Sequence, residues 1–124
     1  WLGWVDRPRL RELLAEVDIG LVTFLPAPNH MEAYPGKLFE YMAAGLPVIA
    51  SDFPLWREIV SEVACGLLVD PADPAAIAAA IDTLLSDPAA AVEMGRRGRE
   101  AVLERYNWEA QMPALLDLYE AVMR

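Results

Sequence analysis

The sequence predicts an α/β fold in which helices flank a parallel, doubly wound β-sheet. Three short apolar runs, at residues 19–24, 47–51 and 66–69, alternate with helical patterns along the chain. The runs are apolar at nearly every position, as expected for strands covered on both faces of a parallel sheet. At 124 residues, the chain has the length of a single domain with its own core.

The first half of the chain predicts two helices and an irregular loop around the first of these strands. The pattern at residues 1–5, Trp-Leu-Gly-Trp-Val, predicts the end of a fourth strand. Asp6 is expected to cap a helix that continues to about Glu16, with leucines at helical spacing. Residues 25–35 contain three prolines and predict a loop, and residues 36–44 predict a helix that the following glycine ends.

Prolines and aspartates mark the helix starts in the second half. Pro54 suits the first turn of a short helix. Asp73 and Asp87 each precede a proline, and this pairing predicts the N-caps of two further helices. In the second of these helices, Gly95 and Gly98 lie on one side and would permit close helix packing.

A last helix is expected at the C-terminus. Asn107 is a suitable N-cap for a helix over residues 107–124, with apolar residues at helical spacing. Pro113 falls inside this pattern and should kink the helix or mark its true start. Residues 1–124 show no linker or internal repeat, so we expect one domain.

Composition and charge exclude several classes of function. A formal net charge of −9 repels nucleic acid backbones, so no nucleic acid partner is expected. Cys65 is the single cysteine, which leaves no intramolecular disulfide or cysteine metal cluster. The longest apolar stretch, at 19–25, is far shorter than the roughly 20 residues of a transmembrane helix. These features predict a cytoplasmic protein without a transmembrane segment.

The stretch EAYPGKLFE, residues 32–40, combines groups that suit an anionic, hydroxyl-rich ligand. It follows a predicted strand, so it should lie at the carboxyl edge of the sheet, where open α/β sheets bind ligands. Gly36 allows close backbone approach, and the helix start and Lys37 favour a phosphate. Glu32 and Glu40 would flank this position and accept hydrogen bonds from hydroxyl groups, with the two carboxylates bordering one cavity.

The spacing of the charged residues in this stretch is also typical of an ordinary exposed surface without a ligand. Lys37 and Glu40 would then be an exposed pair three residues apart, and Glu32 a solvated loop residue, since surface carboxylates are common. His30 reads as a loop histidine rather than a base. Asp52 fits a ligand contact or the cap of the helix that starts near Pro54.

Several motifs, in this order and spacing, resemble family 4 glycosyltransferases, which are retaining enzymes of the GT-B fold. Each motif is weak alone, but together they cover essentially the whole chain. They are the two glutamates with seven residues between them at 32 and 40, KLFEYMAAGLPVIASD at 37–52, REIV at 57–60, CGLLVDPADPAAIAAAI at 65–81 and RYNWE at 105–109.

The resemblance implies an incomplete C-terminal half of a GT-B enzyme, a partial Rossmann-like domain that binds a nucleotide-diphospho-sugar without a metal or other cofactor. By position, Glu40 would hold the ribose hydroxyls, and Glu32 would face the donor sugar as the candidate catalytic residue. Many relatives have Phe-Gly after the first glutamate, whereas this chain has a Tyr-Pro-Gly-Lys sequence whose proline lacks an N–H donor. The expected substrate-binding segment comprises Ala33, Tyr34, Pro35, Gly36, Lys37 and Leu38.

The resemblance also implies partners outside this sequence. Relatives have an N-terminal acceptor-binding domain, and an upstream strand and loop whose arginine and lysine neutralise the leaving diphosphate. We therefore expect transfer of a hexosyl group with retained configuration by a longer protein, and near inactivity of this chain alone. We expect the longer protein to be cytoplasmic, either free or in peripheral contact with the inner membrane.

The alternative function is that of a non-catalytic α/β module that binds a nucleotide or a protein. Exposed sheet edges would favour self-association of such a module.

Overall fold

The computed structural model describes residues 1–123, which form seven helices around a three-stranded sheet. The element boundaries follow the helix and strand signals of the sequence closely. In chain order the elements are α1 (Arg7–Glu16), β1 (Gly20–Val22), α2 (Pro28–Met31), α3 (Gly36–Ala43), β2 (Val48–Ser51), α4 (Pro54–Val63), β3 (Gly66–Val69), α5 (Pro74–Ser86), α6 (Pro88–Glu104) and α7 (Trp108–Met123).

The sheet has the strand order β1-β2-β3, and both strand pairs are parallel. Val48 of the central strand aligns with Gly20 on one side and with Gly66 on the other. All four residues of β2 are buried, which explains why that strand is apolar at nearly every position. The predicted parallel α/β fold with flanking helices is confirmed.

Helices cover both faces of this sheet. On one face, α3, α4 and part of α6 surround a core of large buried side chains that includes Leu38, Met42 and Trp56. On the other face, α5 packs Ala80 and Leu84 against the opposite sides of β2 and β3. Because each crossover helix returns the chain to the start of the next parallel strand, α3 and α4 both begin at the carboxyl edge of the sheet.

The glycines of α6 bring that helix into close contact with the end of α3. A Cβ atom on Gly95 would collide with the backbone carbonyl oxygen of Gly45. A Cβ atom on Gly98 would lie 3.2 Å from the Cβ of Cys65 and 3.4 Å from the Cγ of Met42. The predicted close helix packing at Gly95 and Gly98 is therefore confirmed.

Two arginines of α6 also bind the C-terminal ends of the neighbouring helices. Arg97 Nη1 donates to the carbonyl oxygen of Ala64, and Arg99 Nη1 donates to that of Ala43, each at 3.1 Å. The last carbonyl groups of a helix lack intrahelical partners, so cationic side chains stabilise them. These two arginines thus link α6 to the C-terminal ends of α4 and α3.

Three boundary expectations need correction. Residues 1–5 form no strand; Trp1 and Trp4 are exposed and have no neighbouring strand to pair with. β1 covers only Gly20–Val22 of the expected run at 19–24. The expected loop over 25–35 contains the short helix α2, for which Pro28 supplies the preformed φ of a first helical position.

The predicted caps of the C-terminal helices are confirmed. The Asp73 carboxylate accepts from the backbone N–H groups at the start of α5, and the Asp87 carboxylate accepts from Ala90 N at the start of α6. Asn107 Oδ1 accepts from Ala110 N at 2.8 Å. Pro113 lies within α7 and does not shorten it, and no described residue of α7 is buried.

Within residues 1–123, none of the helices is by itself long and apolar enough to cross a membrane. The combination of α5 with residues 88–123 meets this test by length and composition, but the two parts are bent by 101°.

Candidate functional site

The start of α3 is open and lies at the carboxyl edge of the sheet. A Cβ atom added to Gly36 would find no atom within 4 Å, and the residue does not have positive φ. Packing and backbone geometry therefore give no reason for a glycine at this position. No side chain within residues 1–123 caps this helix start, so its first N–H groups face an accessible space that suits an anion.

Lys37 lies beside this helix start and contacts an aromatic ring instead of a carboxylate. Its Nζ atom is 5.7 Å from the centroid of the Phe24 ring, a cation–π geometry. Among the residues described, no ion pair links Lys37 to Glu40. The exposed pair that the spacing allowed is not formed, and the ammonium group stays near the mouth of the site.

The loop before α3 is attached to the sheet by two side-chain hydrogen bonds. Trp56 Nε1 donates to the carbonyl oxygen of Ala33 at 2.7 Å. Ser51 Oγ donates to the carbonyl oxygen of Phe24 at 2.7 Å, and this serine is fully buried. Both donors follow or end β2, so the central strand fixes the loop that follows β1.

His30 has a local structural contact in this loop. Its Nδ1–H donates to the carbonyl oxygen of Leu25 at 2.8 Å, and its ring packs 5.0 Å from the Phe24 ring, centroid to centroid. With one ring nitrogen used in this bond and the ring held by Phe24, His30 stabilises the loop, in agreement with the sequence interpretation.

The two predicted carboxylates do not border one cavity. Glu32 lines a cavity of about 640 Å³ between α2 and the start of α4. Glu40 lines a groove of about 430 Å³ between α3 and α1, together with Arg7 and Arg11. The expectation of a shared cavity within this chain is therefore wrong.

The direction of α3 explains this separation. Glu40 lines its groove together with Ala43 and Ala44, which lie three and four positions further along and therefore on the same side of the helix. Burial, together with the charge of Glu40, raises the pKa of the neighbouring Tyr41 above its usual 10.0. Glu32 instead ends α2, before the chain reaches α3. Along the chain, Glu32 thus precedes the open helix start and Glu40 follows it by about one turn.

The other residues of the predicted binding segment divide into exposed and structural positions. Tyr34 is half exposed and lines a third cavity. Leu38 is fully buried in the core, and its N–H donates to the carbonyl oxygen of Pro35 at 3.1 Å. A ligand can therefore reach residues 33–37 more readily than Leu38.

Asp52 does not cap the helix that follows it, and its role as a ligand contact stays a prediction. Its carboxylate pairs with Arg57 of α4, and no side chain caps the start of that helix. The adjacent Phe53 lies at the N-cap position with its side chain buried. This region is thus closed by packing rather than by an acidic cap.

Sequence reasoning overlooked two features of this region. The first feature is the contact of Trp56 with the loop. Trp56 lies in an apolar helical pattern, and the only indication of this contact was that a buried indole N–H requires an acceptor. A groove of about 960 Å³ brings together residues that are far apart in the chain, and no sequence pattern indicated it. It is lined by Tyr34, Phe39, Glu58, Ile59, Glu62, Tyr106, Asn107, Trp108 and Gln111.

Acidic, histidine and cysteine side chains do not gather in this structure. Within the described part of the chain, no group of three or more such residues is placed to hold a metal ion. Burial raises the pKa of the Cys65 thiol to about 11, so the thiol is protonated near neutral pH.

Comparisons with known proteins agree on one family. The family profile "Glycosyl transferases group 1" matches residues 1–101. Glycogen synthase of Mycobacterium tuberculosis is 30% identical over 124 residues, which are 100% of this chain and 29% of that protein. The phosphatidyl-myo-inositol mannosyltransferase of Mycobacterium leprae is 36% identical over 123 residues, covering 98% of this chain and 31% of that protein.

A solved structure shows the same arrangement of elements. Sucrose-phosphate synthase from Thermosynechococcus elongatus superposes with a TM-score of 0.85 at 34% identity, covering 98% of this chain and 29% of that chain. This chain thus spans less than a third of the length of these three similar proteins. The family profile, these sequences and the fold together support the resemblance seen in the motifs: the chain belongs to the group 1, or family 4, glycosyltransferases.

Proposed function

We propose that residues 1–124 are part of the donor-binding domain of a retaining hexosyltransferase that uses a nucleotide-diphospho-sugar. The observation that carries this proposal is the open start of α3, where Gly36 and Lys37 lie at the carboxyl edge of a parallel sheet. Helix N-termini at such edges bind phosphate groups through backbone N–H groups and the helix dipole. Family membership supports a nucleotide sugar as the source of that phosphate.

The acidic residues receive separate roles in this proposal. Glu40 would bind the ribose hydroxyls in the groove between α1 and α3, and Glu32 would face the donor sugar across the helix start. Because these carboxylates line different cavities, an extended donor would have to cross the Gly36 position to reach both. The diphosphate would then lie beside Lys37, in the middle of the ligand. In this proposal Lys37, the helix start and cations of the longer protein together balance its charge without a metal ion.

The remaining parts of the reaction are assigned to the longer protein. Relatives are about three times the length of this chain, and we propose that the acceptor-binding domain and further cations belong to the parts not matched here. We infer that the full enzyme acts in the cytoplasm, and that this chain alone binds the donor without transferring the sugar.

The test is isothermal titration of UDP, GDP and ADP into the 124-residue chain and its variants. Wild type should bind at least one of the three nucleotides. Lys37→Ala should weaken binding by about tenfold, because a charge-assisted contact to phosphate contributes roughly 1.4 kcal/mol. Glu40→Gln should weaken it by a similar factor through the ribose.

Glu104→Gln is the matched control, since this exposed carboxylate lies at the end of α6 and does not line any of the three cavities. It removes the same charge as Glu40→Gln and should leave nucleotide affinity unchanged. Equal affinities for the Glu40→Gln and Glu104→Gln variants would remove Glu40 from the site. Absence of binding to all three nucleotides would contradict the proposed function.

A protein-binding module is the second candidate function. The observation in its favour is the exposed apolar surface of α7, where Leu118, Tyr119 and Val122 are each at least 60% exposed. Analytical ultracentrifugation of the chain at increasing concentration would support this candidate if it self-associates without binding nucleotide. A monomer that binds nucleotide would favour the donor-binding function.

A further inference from the structure

Trp56 connects the core to the loop that precedes α3. Its side chain is fully buried, and it lies in the first turn of α4, which begins at the carboxyl edge of the sheet. Its indole N–H is the only polar group of the side chain and acts only as a donor. The acceptor is the carbonyl oxygen of Ala33 at 2.7 Å, in a segment that is otherwise exposed.

The same indole ring also supports Lys37 through a second aromatic residue. The ring centroids of Trp56 and Phe24 are 5.8 Å apart in an edge-to-face arrangement. Lys37 Nζ lies 5.7 Å from the centroid of the Phe24 ring, and the Phe24 backbone is itself held by Ser51. The indole therefore supports Ala33 through a hydrogen bond and Lys37 through the Phe24 ring, which are the two ends of residues 33–37.

Two other contacts hold this segment: the Leu38 N–H donates to the Pro35 carbonyl oxygen, and the Tyr34 ring lies 6.1 Å from the Phe39 ring, centroid to centroid. Neither contact reaches Ala33 or the Lys37 side chain. Ala33, Tyr34 and Gly36 are exposed, and no side chain caps the start of α3 in the described structure. A ligand that must order a mobile loop binds more weakly than one that meets a preformed site, because the ordering lowers the affinity. The direction of the helix-start N–H groups and of the Lys37 ammonium group would depend on this support.

We propose that Trp56 is a positioning residue, which holds residues 33–37 and the Lys37 ammonium group in the geometry that receives the diphosphate. The proposal rests on the proposed donor site. The buried indole acts through the Ala33 carbonyl and the Phe24 ring and does not itself touch the ligand. Any buried indole N–H needs an acceptor. Core packing alone, however, does not require that this acceptor belong to the exposed loop or that the ring contact lead to Lys37.

The experiment combines two variants of Trp56 with one control. Trp56→Phe removes the N–H group and part of the ring. Trp56→benzothienylalanine keeps the bicyclic shape and replaces the N–H group with sulfur, so it should fold where the smaller ring does not. Val60→Ala is the control, because Val60 is a buried residue of the same helix and its truncation destabilises the core without altering the loop contact.

Two measurements separate positioning from stability. The first is the amide chemical shifts and hydrogen exchange of Gly36 and Lys37 in the ligand-free protein. We expect both Trp56 variants to shift these signals and speed their exchange, while Val60→Ala leaves them at their wild-type positions. The second is titration with UDP, GDP and ADP, for which we expect about fivefold weaker binding in the Trp56 variants, the ratio expected for one lost neutral hydrogen bond.

The outcomes distinguish this inference from the donor site itself. Unchanged Gly36 and Lys37 signals in the benzothienylalanine variant would overturn the positioning role, as would a nucleotide affinity equal to that of Val60→Ala. If wild type binds none of the nucleotides, the donor site fails. The ligand-free amide signals would still decide whether Trp56 orders the segment.

Discussion

Helices α6 and α7 follow one another in the chain, yet they are held in the structure in different ways. In α6, Gly95 and Gly98 let the helix backbone lie directly against the end of α3, and Ala101 is buried in the core. In α7, no described residue is buried, and its contacts with other elements are sparse. The position of α6 is therefore set by backbone packing, whereas that of α7 depends on polar contacts at its first turn.

The strongest test of this contrast is Gly95→Ala. The new methyl group would meet the carbonyl oxygen of Gly45, which is backbone and cannot move aside as a flexible side chain can. We expect overpacking to lower the free energy of unfolding by about 4 kcal/mol. The better helix propensity of alanine offsets roughly 1 kcal/mol of this, so the net loss is about 3 kcal/mol. Urea denaturation measures this free energy of unfolding.

Gly36→Ala is the matched control for that substitution. It adds the same methyl group where no atom lies within 4 Å and positive φ is not required. Its effect should be a gain of about 0.5 kcal/mol from the lower entropy of the unfolded chain. Similar losses for the two variants would show that close packing of α6 is not what Gly95 provides.

The second test uses the pH dependence of the packed region. Burial raises the pKa of Cys65 from 9.0 to about 11, so the folded state binds the thiol proton more tightly than the unfolded state. The corresponding stability is fully present below pH 9 and is lost as pH rises through 11, by up to about 2.7 kcal/mol. Cys65→Ala should remove this loss from the stability profile between pH 8 and 11. Parallel profiles for the two proteins would contradict the raised pKa.

A smaller effect is expected at the junction of α6 and α7. Asn107 Oδ1 caps α7, while its Nδ2 donates to the carbonyl oxygens of Val102 and Leu103 at the end of α6, each at 2.8 Å. Asn107→Ala should destabilise α7 by about 1 kcal/mol through loss of the cap. Amide hydrogen exchange should quicken in the first turns of α7 and in the last turn of α6, and stay constant in the rest of α6. Equal acceleration in both helices would show that they unfold as one unit.

The smallest effect is expected on the outer part of α7. Leu118 is 60% exposed, so Leu118→Ala should change the free energy of unfolding by less than about 0.5 kcal/mol. Leu84→Ala in α5 makes the same truncation at a buried site and should lose about 3 kcal/mol. Thermal unfolding of both variants measures the difference. A large loss at Leu118 would mean that another surface covers α7 in solution.

Local signals in the sequence predicted most of the fold. Asp73, Asp87 and Asn107 cap helices because short polar side chains accept hydrogen bonds from helix-start N–H groups, and this chemistry depends only on neighbouring residues. Residues 1–5 and the helix α2 were less predictable. A strand requires a neighbouring strand, and a single helical turn depends on contacts that no short window contains.

The candidate site was predictable as a segment but not as a surface. The order of Glu32, Gly36, Lys37 and Glu40 along the chain indicated a helix start between two acidic groups, and the structure agrees. Whether those groups border one cavity depends on how α3 is rotated against α1, which is a property of the packed structure. The contribution of Trp56 likewise required knowing which distant carbonyl group its N–H meets.

Because few side-chain hydrogen bonds join α6 to α7, a small rotation at the base of α7 would produce a large displacement of its tip. Asn107 contributes three side-chain hydrogen bonds there, and Gln111 Nε2 adds one to the carbonyl oxygen of Arg105. A helix of 16 residues is about 24 Å long, so a rotation of roughly 10° at its base would displace its tip by about 4 Å. Modest changes in the geometry of one amide side chain would therefore redirect a whole apolar helix, and sequence changes near Asn107 would alter where that helix points more than they alter the stability of the sheet.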